Sequence, residues 1–125
     1  MVTTDISQLA GECSTWRNTL RDQRSNFSSL NEKLQQLSTN LQDRNQLTDL
    51  EHLQNQFYIQ QINIHDLKHA IKEHERIAEW EISQKGQVTD ATWSAHEDLH
   101  SQFEQLQGTL QQVQGEFKQF VGKMQ

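Results

Sequence analysis

The sequence predicts an all-α protein, an elongated antiparallel up-down-up bundle of three helices with heptad, coiled-coil-like packing. Three observations carry this. Apolar residues recur in alternating three- and four-residue steps along three long stretches, a spacing that lays a seam along one side of a helix. Proline is absent and only five glycines occur in 125 residues, so little interrupts the helices. Two short stretches of turn and capping residues separate the three seams, and short turns between long helices make antiparallel neighbours. The whole chain, residues 1–125, reads as one helical-bundle domain, with helices near residues 4–42, 48–85 and 89–124.

The first helix has Thr4 as its candidate cap and Asp5 in its first turn, where a carboxylate suits the helix dipole. Its seam is Ile6, Leu9, Cys13, Trp16, Leu20, Gln23, Phe27, Leu30, Leu34, Leu37 and Leu41. Gln23 is its one strongly polar member, and Cys13 behaves as a small apolar residue. The phase breaks between Gln42 and Leu47, where Asp43 and Asn45 favour a turn. Thr48-Asp49-Leu50-Glu51 then has the form of a capping box that opens the middle helix.

The middle helix organises the chain. Its seam is Leu50, Leu53, Phe57, Gln60, Ile64, Leu67, Ile71, His74 and Ala78. Gly86 suits the position just past its end, because glycine tolerates positive φ. In the third helix Thr89 is the expected N-cap, with Val88 and Trp93 placed for a hydrophobic staple. The seam continues as His96, Leu99, Phe103, Leu106, Leu110, Val113, Phe117, Phe120 and Met124. Gly108, Gly115 and Gly122 recur at heptad spacing off this seam. They read as tolerated surface residues, with close approach of another backbone as the sharper alternative.

The register of the second hairpin can be worked out by matching seams. Turning at Lys85 pairs Ile71 with Leu99, Leu67 with Phe103, Phe57 with Val113, and His74 with His96. The first hairpin matches equally well in two registers. One sets Cys13 beside His74, and the other sets Leu20 there.

Composition narrows the function classes. The hydrophobic fraction is 33% and the mean hydropathy is −0.89, values that in an aperiodic chain would mean disorder. Here the few apolar residues fall where a narrow seam needs them. A net charge of −6 and a pI near 5.4 argue against nonspecific binding to nucleic acid or anionic membranes. No apolar run is long enough to span a bilayer, and the first residues lack the pattern of a signal peptide. The single cysteine fits a reducing, cytoplasmic setting.

Several patterns bear on chemistry. Asp66-Leu67-Lys68-His69 and Glu97-Asp98-Leu99-His100 have the acid-x-x-His spacing of carboxylate-bridged di-metal bundles. Leu67 and Leu99 occupy the seams, which turns His69 outward and leaves His100 on the flank, so a di-metal oxidase is not expected. His65/His69 and His96/His100 are pairs one turn apart, which offer two ligands each and so a weak metal site. Arg17, Arg21 and Arg24 form a basic stripe that reads as ion-pair partners for Glu73, Glu75 or Glu79 rather than as a docking strip. There is no nucleophile elbow and no glycine-rich phosphate loop. No enzyme activity and no small-molecule substrate are expected.

Two function classes follow. The first is a non-catalytic structural or protein-interaction bundle without a cofactor. On the middle helix Tyr58, Ile59, Ile62, Ile77 and Trp80 lie away from the seam, where two neighbours cannot cover them. That face predicts a helical protein partner or a homodimer. The alternative is a zinc-binding or zinc-sensing bundle using Cys13, His74, His96 and His100, since zinc takes sulfur and nitrogen ligands tetrahedrally. The simpler account of His74 and His96 is a polar layer that fixes register, as a buried asparagine does in coiled coils. Two facing imidazoles resist both being charged, so stability should fall as pH drops below about 6.5.

Ile71-Lys72-Glu73-His74-Glu75-Arg76-Ile77, then Gln84-Lys85-Gly86 and Ala95-His96-Glu97-Asp98-Leu99, resemble the text around the second hairpin of spectrin-type repeats. Those repeats also carry a tryptophan in their first helix, as Trp16 would be here. The resemblance implies a three-helix spacer or protein-binding module without catalysis. The whole chain is also similar to small uncharacterised helical proteins of bacteria, a likeness that brings no function with it.

Overall fold

The computed structural model describes residues 3–124, with side chains from residue 5 onward. Three helices make up the fold: α1 (Thr3–Ser38), α2 (Arg44–Lys85) and α3 (Asp90–Lys123). They are joined by two short turns, and no strand occurs among the described residues. At 42 residues, α2 spans roughly 63 Å. It is the central element, packed against both α1 and α3.

The core is the seam read from the sequence. All nine seam residues of α2 are buried. On α3 the seam from His96 to Phe120 is buried too. On α1 the buried set is Leu9, Cys13, Trp16, Leu20, Phe27 and Leu34, while Ile6, Leu30 and Leu37, and Leu41 in the turn beyond, pack against it partly exposed. Phe27 meets Phe57 edge-on at a centroid distance of 5.4 Å, a favoured geometry for aromatic pairs. The polar seam residue Gln23 pairs with Gln107 of α3 through two amide hydrogen bonds, of 2.6 and 3.0 Å. Neither amide is therefore left as a buried orphan.

The first turn differs from its sequence reading. α1 ends at Ser38 rather than near Gln42. The Ser38 and Thr39 hydroxyls donate to the carbonyls of Gln35 and Gln36, satisfying acceptors that a longer helix would have used. α2 begins at Arg44, capped by Asp43, whose carboxylate accepts from the amides of Asn45 and Gln46 at 2.8 and 3.2 Å. Thr48 lies inside the helix and donates to the Arg44 carbonyl, so the Thr48–Glu51 capping box does not form. Aspartate caps at least as well as threonine, and the earlier start adds a turn of backbone hydrogen bonds. At the other end of α1, Thr4 falls within the helix, and its side chain lies outside the described residues.

The second turn follows its sequence signals. Gly86 ends α2 with φ 72°, and its amide donates to the Ile82 carbonyl at 2.8 Å. A side chain would be strained at that φ. Thr89 caps α3 by accepting from the Thr92 amide. Val88 is buried and Trp93 packs partly buried on the core. Glu81, one heptad past His74, clamps the turn. Its carboxylate accepts from the amide and the hydroxyl of Thr89, at 3.1 and 3.0 Å. Hydrogen bonds from Thr92 and Thr89 hold that carboxyl below the usual carboxylate range.

The first hairpin adopts the register that sets Cys13 level with His74. Arg17 grips Glu75 with two hydrogen bonds, and Gln61 donates to the Arg24 carbonyl and to Ser28. Arg17 is thus the ion-pair partner expected of the basic stripe, whereas Arg21 approaches only its neighbour Asp22. A Cβ added at Gly108, Gly115 or Gly122 would meet nothing within 4 Å, so no backbone approaches along that line.

Candidate functional site

The registers of the two hairpins bring one residue from each helix to a single level: Cys13 of α1, His74 of α2 and His96 of α3. All three are buried, at 0, 6 and 5% exposure. Their Sγ, Nε2 and Nδ1 atoms lie within 4.8 Å of one another. His74 Nε2 is 3.1 Å from His96 Nδ1, and Cys13 Sγ is 3.9 Å from that same Nδ1. The nitrogen pair is one hydrogen bond shared by two rings, in which one nitrogen donates and the other accepts.

The surroundings fix His96 in place. Its other nitrogen, Nε2, is 3.4 Å from the carboxylate of Glu12. Its face stacks on Trp16, with centroids 4.8 Å apart and planes at 29°, while Trp93 approaches edge-on at 6.1 Å. A carboxylate on Nε2 favours the tautomer with the proton there, which leaves the Nδ1 lone pair facing Cys13 and His74.

Burial favours the neutral forms of Cys13 and His74. Burial pushes the Cys13 thiol up to about 12, helped by the negative charges of Glu75 and Glu12 and opposed by Arg17. Burial also pulls His74 below the ordinary histidine value, with His96 acting in the same direction and Glu81 against it. A thiol that holds its proton is a poor nucleophile.

His100 stands apart from this group. Its side chain is half exposed, its Nε2 faces Glu104 at 3.9 Å, and its ring tilts against Trp16 at 5.8 Å. His65 and His69 stack on each other at the surface. Neither Glu12 nor Glu81 was singled out by sequence pattern. Glu81 had a readable signal, since it continues the α2 seam one heptad beyond His74. Glu12 had none, because its contact with His96 depends on the α1–α3 register.

The residues expected on the outer face of α2 are all exposed, from 38% for Ile59 to 67% for Tyr58, with Trp80 at 58%. They form two patches. Tyr58, Ile59 and Ile62 lie at one end and Ile77 and Trp80 at the other, with Asp66, His69 and Glu73 exposed between them. An apolar groove of about 540 Å³ runs between the end of α1 and the end of α3, lined by Leu37, Phe117 and Val121 and flanked by Lys33 and Lys118. No helix among the described residues is long and apolar enough to cross a membrane.

Fold and site together define a three-helix bundle with a single cysteine–histidine layer in its core and an apolar outer face on its middle helix. No protein-family model, curated protein or solved structure matches the chain.

Proposed function

We propose that the protein is a non-catalytic helical interaction module that associates with a second copy of itself through the outer face of α2. One observation carries the reading: five large apolar side chains stand exposed on the side of α2 turned away from both neighbours. Their spacing favours a like partner. Ile59 and Ile62 are spaced as Ile77 and Trp80 are, so the strip reads the same in both directions. An antiparallel pair of α2 helices about a two-fold axis then matches each patch with the other, the isologous arrangement of a C₂ dimer. The likeness of residues 71–99 to spectrin-type repeats supports an interaction role, and a reducing cytoplasmic setting suits the buried thiol.

The charged middle of the strip gives the proposal a second handle. Asp66 comes close to Glu73 of the second copy in such a dimer, and the Arg76 guanidinium that pairs with Glu73 offsets much of the repulsion, so association should depend only weakly on salt. Light scattering at tens of micromolar should find a dimer that persists with added salt and that Trp80→Asp or Ile59→Asp dissociates without unfolding. A monomer at every salt concentration would overturn the reading.

A further inference from the structure

We propose that Cys13, His74 and His96 form a zinc site that ties all three helices together, with Glu12 holding His96 in the ligating orientation. This goes beyond the interaction reading, from which it is independent.

The first argument is distance. A tetrahedral zinc ion with ordinary bond lengths holds nitrogen ligands roughly 3.3 Å apart, and sulfur and nitrogen roughly 3.6 Å apart. The corresponding separations are 3.1 Å for His74 Nε2 to His96 Nδ1 and 3.9 Å for Cys13 Sγ to His96 Nδ1. For these two pairs, rotamer adjustments of a few tenths of an ångström close the difference. The remaining pair also falls within 4.8 Å.

The second argument is orientation. A ligating histidine usually gives its other N–H to a carboxylate or carbonyl, which fixes the tautomer and strengthens the donor. His96 already has this arrangement, with Glu12 on Nε2 and Nδ1 turned inward. Glu12 sits across the imidazole ring from Nδ1, so it is a positioning residue and not a ligand. Three protein ligands leave the fourth position to water.

The third argument is topology. Each ligand comes from a different helix, and side chains of α1 and α3 already meet at this level through Glu12, Trp16 and His96. An ion here links α1 directly to both arms of the α2–α3 hairpin. Binding displaces the thiol proton of Cys13 to solvent. The proton that His74 Nε2 donates to His96 Nδ1 passes by way of solvent to His74 Nδ1, so that both ligating nitrogens are unprotonated. A zinc–thiolate bond forms with no oxidant or reductant required. Such a site acts as a structural staple whose occupancy follows the supply of zinc.

The test uses the full chain without a histidine tag, stripped with chelator. Zinc added to this protein should bind one ion per chain by native mass spectrometry and raise the melting temperature. Cobalt(II) should give a thiolate charge-transfer band, which in a chain with one cysteine identifies Cys13 as ligand without any substitution. Cys13→Ser should abolish the band and weaken zinc binding by 100-fold or more. Glu12→Gln should keep the band and weaken binding by about 10- to 100-fold. His100→Ala and His65→Ala should change neither. No charge-transfer band at saturating cobalt, or zinc binding that survives Cys13→Ser but is lost with His65→Ala or His100→Ala, would overturn the assignment.

Discussion

Replacing His74 and His96 by leucine, singly and together, measures what the polar layer contributes to the metal-free fold. Both side chains are nearly sealed from water, at 6 and 5% exposure, and each supplies the other's hydrogen-bond partner at 3.1 Å. Removing His96 leaves His74 Nε2 unpaired and buried, and removing His74 leaves His96 Nδ1 with only the weak thiol donor of Cys13, each at a cost of about 1–3 kcal/mol. Leucine recovers roughly 1 kcal/mol of this by burying more apolar surface. His74→Leu should therefore destabilise by about 1 kcal/mol. His96→Leu should cost more, because the stack on Trp16 at 4.8 Å is lost as well, and such contacts contribute about 0.5–1.5 kcal/mol. The double variant has no orphaned nitrogen. It should lie between neutral and about 2 kcal/mol more stable than the parent, as when buried polar pairs are replaced by apolar residues of similar size.

The measurement is a double-mutant cycle from urea unfolding, at pH 7.5 with chelator present. The double variant should be more stable than the two single effects add up to, by roughly 3–5 kcal/mol, because it avoids both orphaned-nitrogen costs. If the effects add within about 0.5 kcal/mol, as they do for residues out of contact, the two rings do not meet and the second-hairpin register is wrong. If the double variant is the least stable of the four, the layer contributes stability as well as register.

Three further outcomes follow from particular contacts. His74 titrates below its ordinary value of about 6.5, so its unfolded form takes up a proton first. Stability is then fully present above that pH and declines as pH falls through and below it. The groups facing it are Cys13 from α1, His96 from α3 and Glu81 from its own helix. A chelated sample whose melting temperature stays flat from pH 7.5 to 5.5 would contradict this account. Glu81→Ala should lower the melting temperature and speed hydrogen exchange at the Thr89 amide, whereas Glu79→Ala should do neither. Gly108→Ala and Gly115→Ala should each stabilise by up to ~1 kcal/mol, because the added methyl meets nothing and glycine disfavours a helix interior. Urea melts showing a loss for either would mean that a neighbour crowds that face.

The seams were legible because heptad spacing is a repeated signal, and each apolar residue confirms its neighbours. One wrong residue hardly matters over thirty positions. Leu50 to Ala78 could be assigned without a partner in view, and the same repetition placed His74 opposite His96. The α2–α3 turn was legible for a different reason, since Gly86 and Thr89 are single residues with one strong local preference each. The first turn lacked that clarity. Asp43 and Thr48 are both competent caps, and sequence pattern offers no measure of which start leaves more backbone groups satisfied. The structure selects Asp43, and Ser38 and Thr39 close α1 with their own hydroxyls.

The site was legible in its parts and not in its assembly. Matching seams fixes the register of two antiparallel helices only when a slip spoils the pairing. Between α2 and α3 the alternation of large and small residues, and the two histidines, penalise a slip. Between α1 and α2 the leucine-rich seam of α1 tolerates a one-heptad shift, because Leu20 can sit where Cys13 sits. What settles it lies off the seam, in the Arg17–Glu75 ion pair and the bond from Gln61 to the Arg24 carbonyl. These contacts depend on the rotation of each helix about its axis, which a periodic seam leaves loose by tens of degrees. Glu12 was hidden for the same reason. It flanks the seam of α1 and reaches His96 only once α1 is placed in both register and rotation. His100 is the converse case: close in sequence to His96, and carried outward by the rotation that turns Leu99 inward.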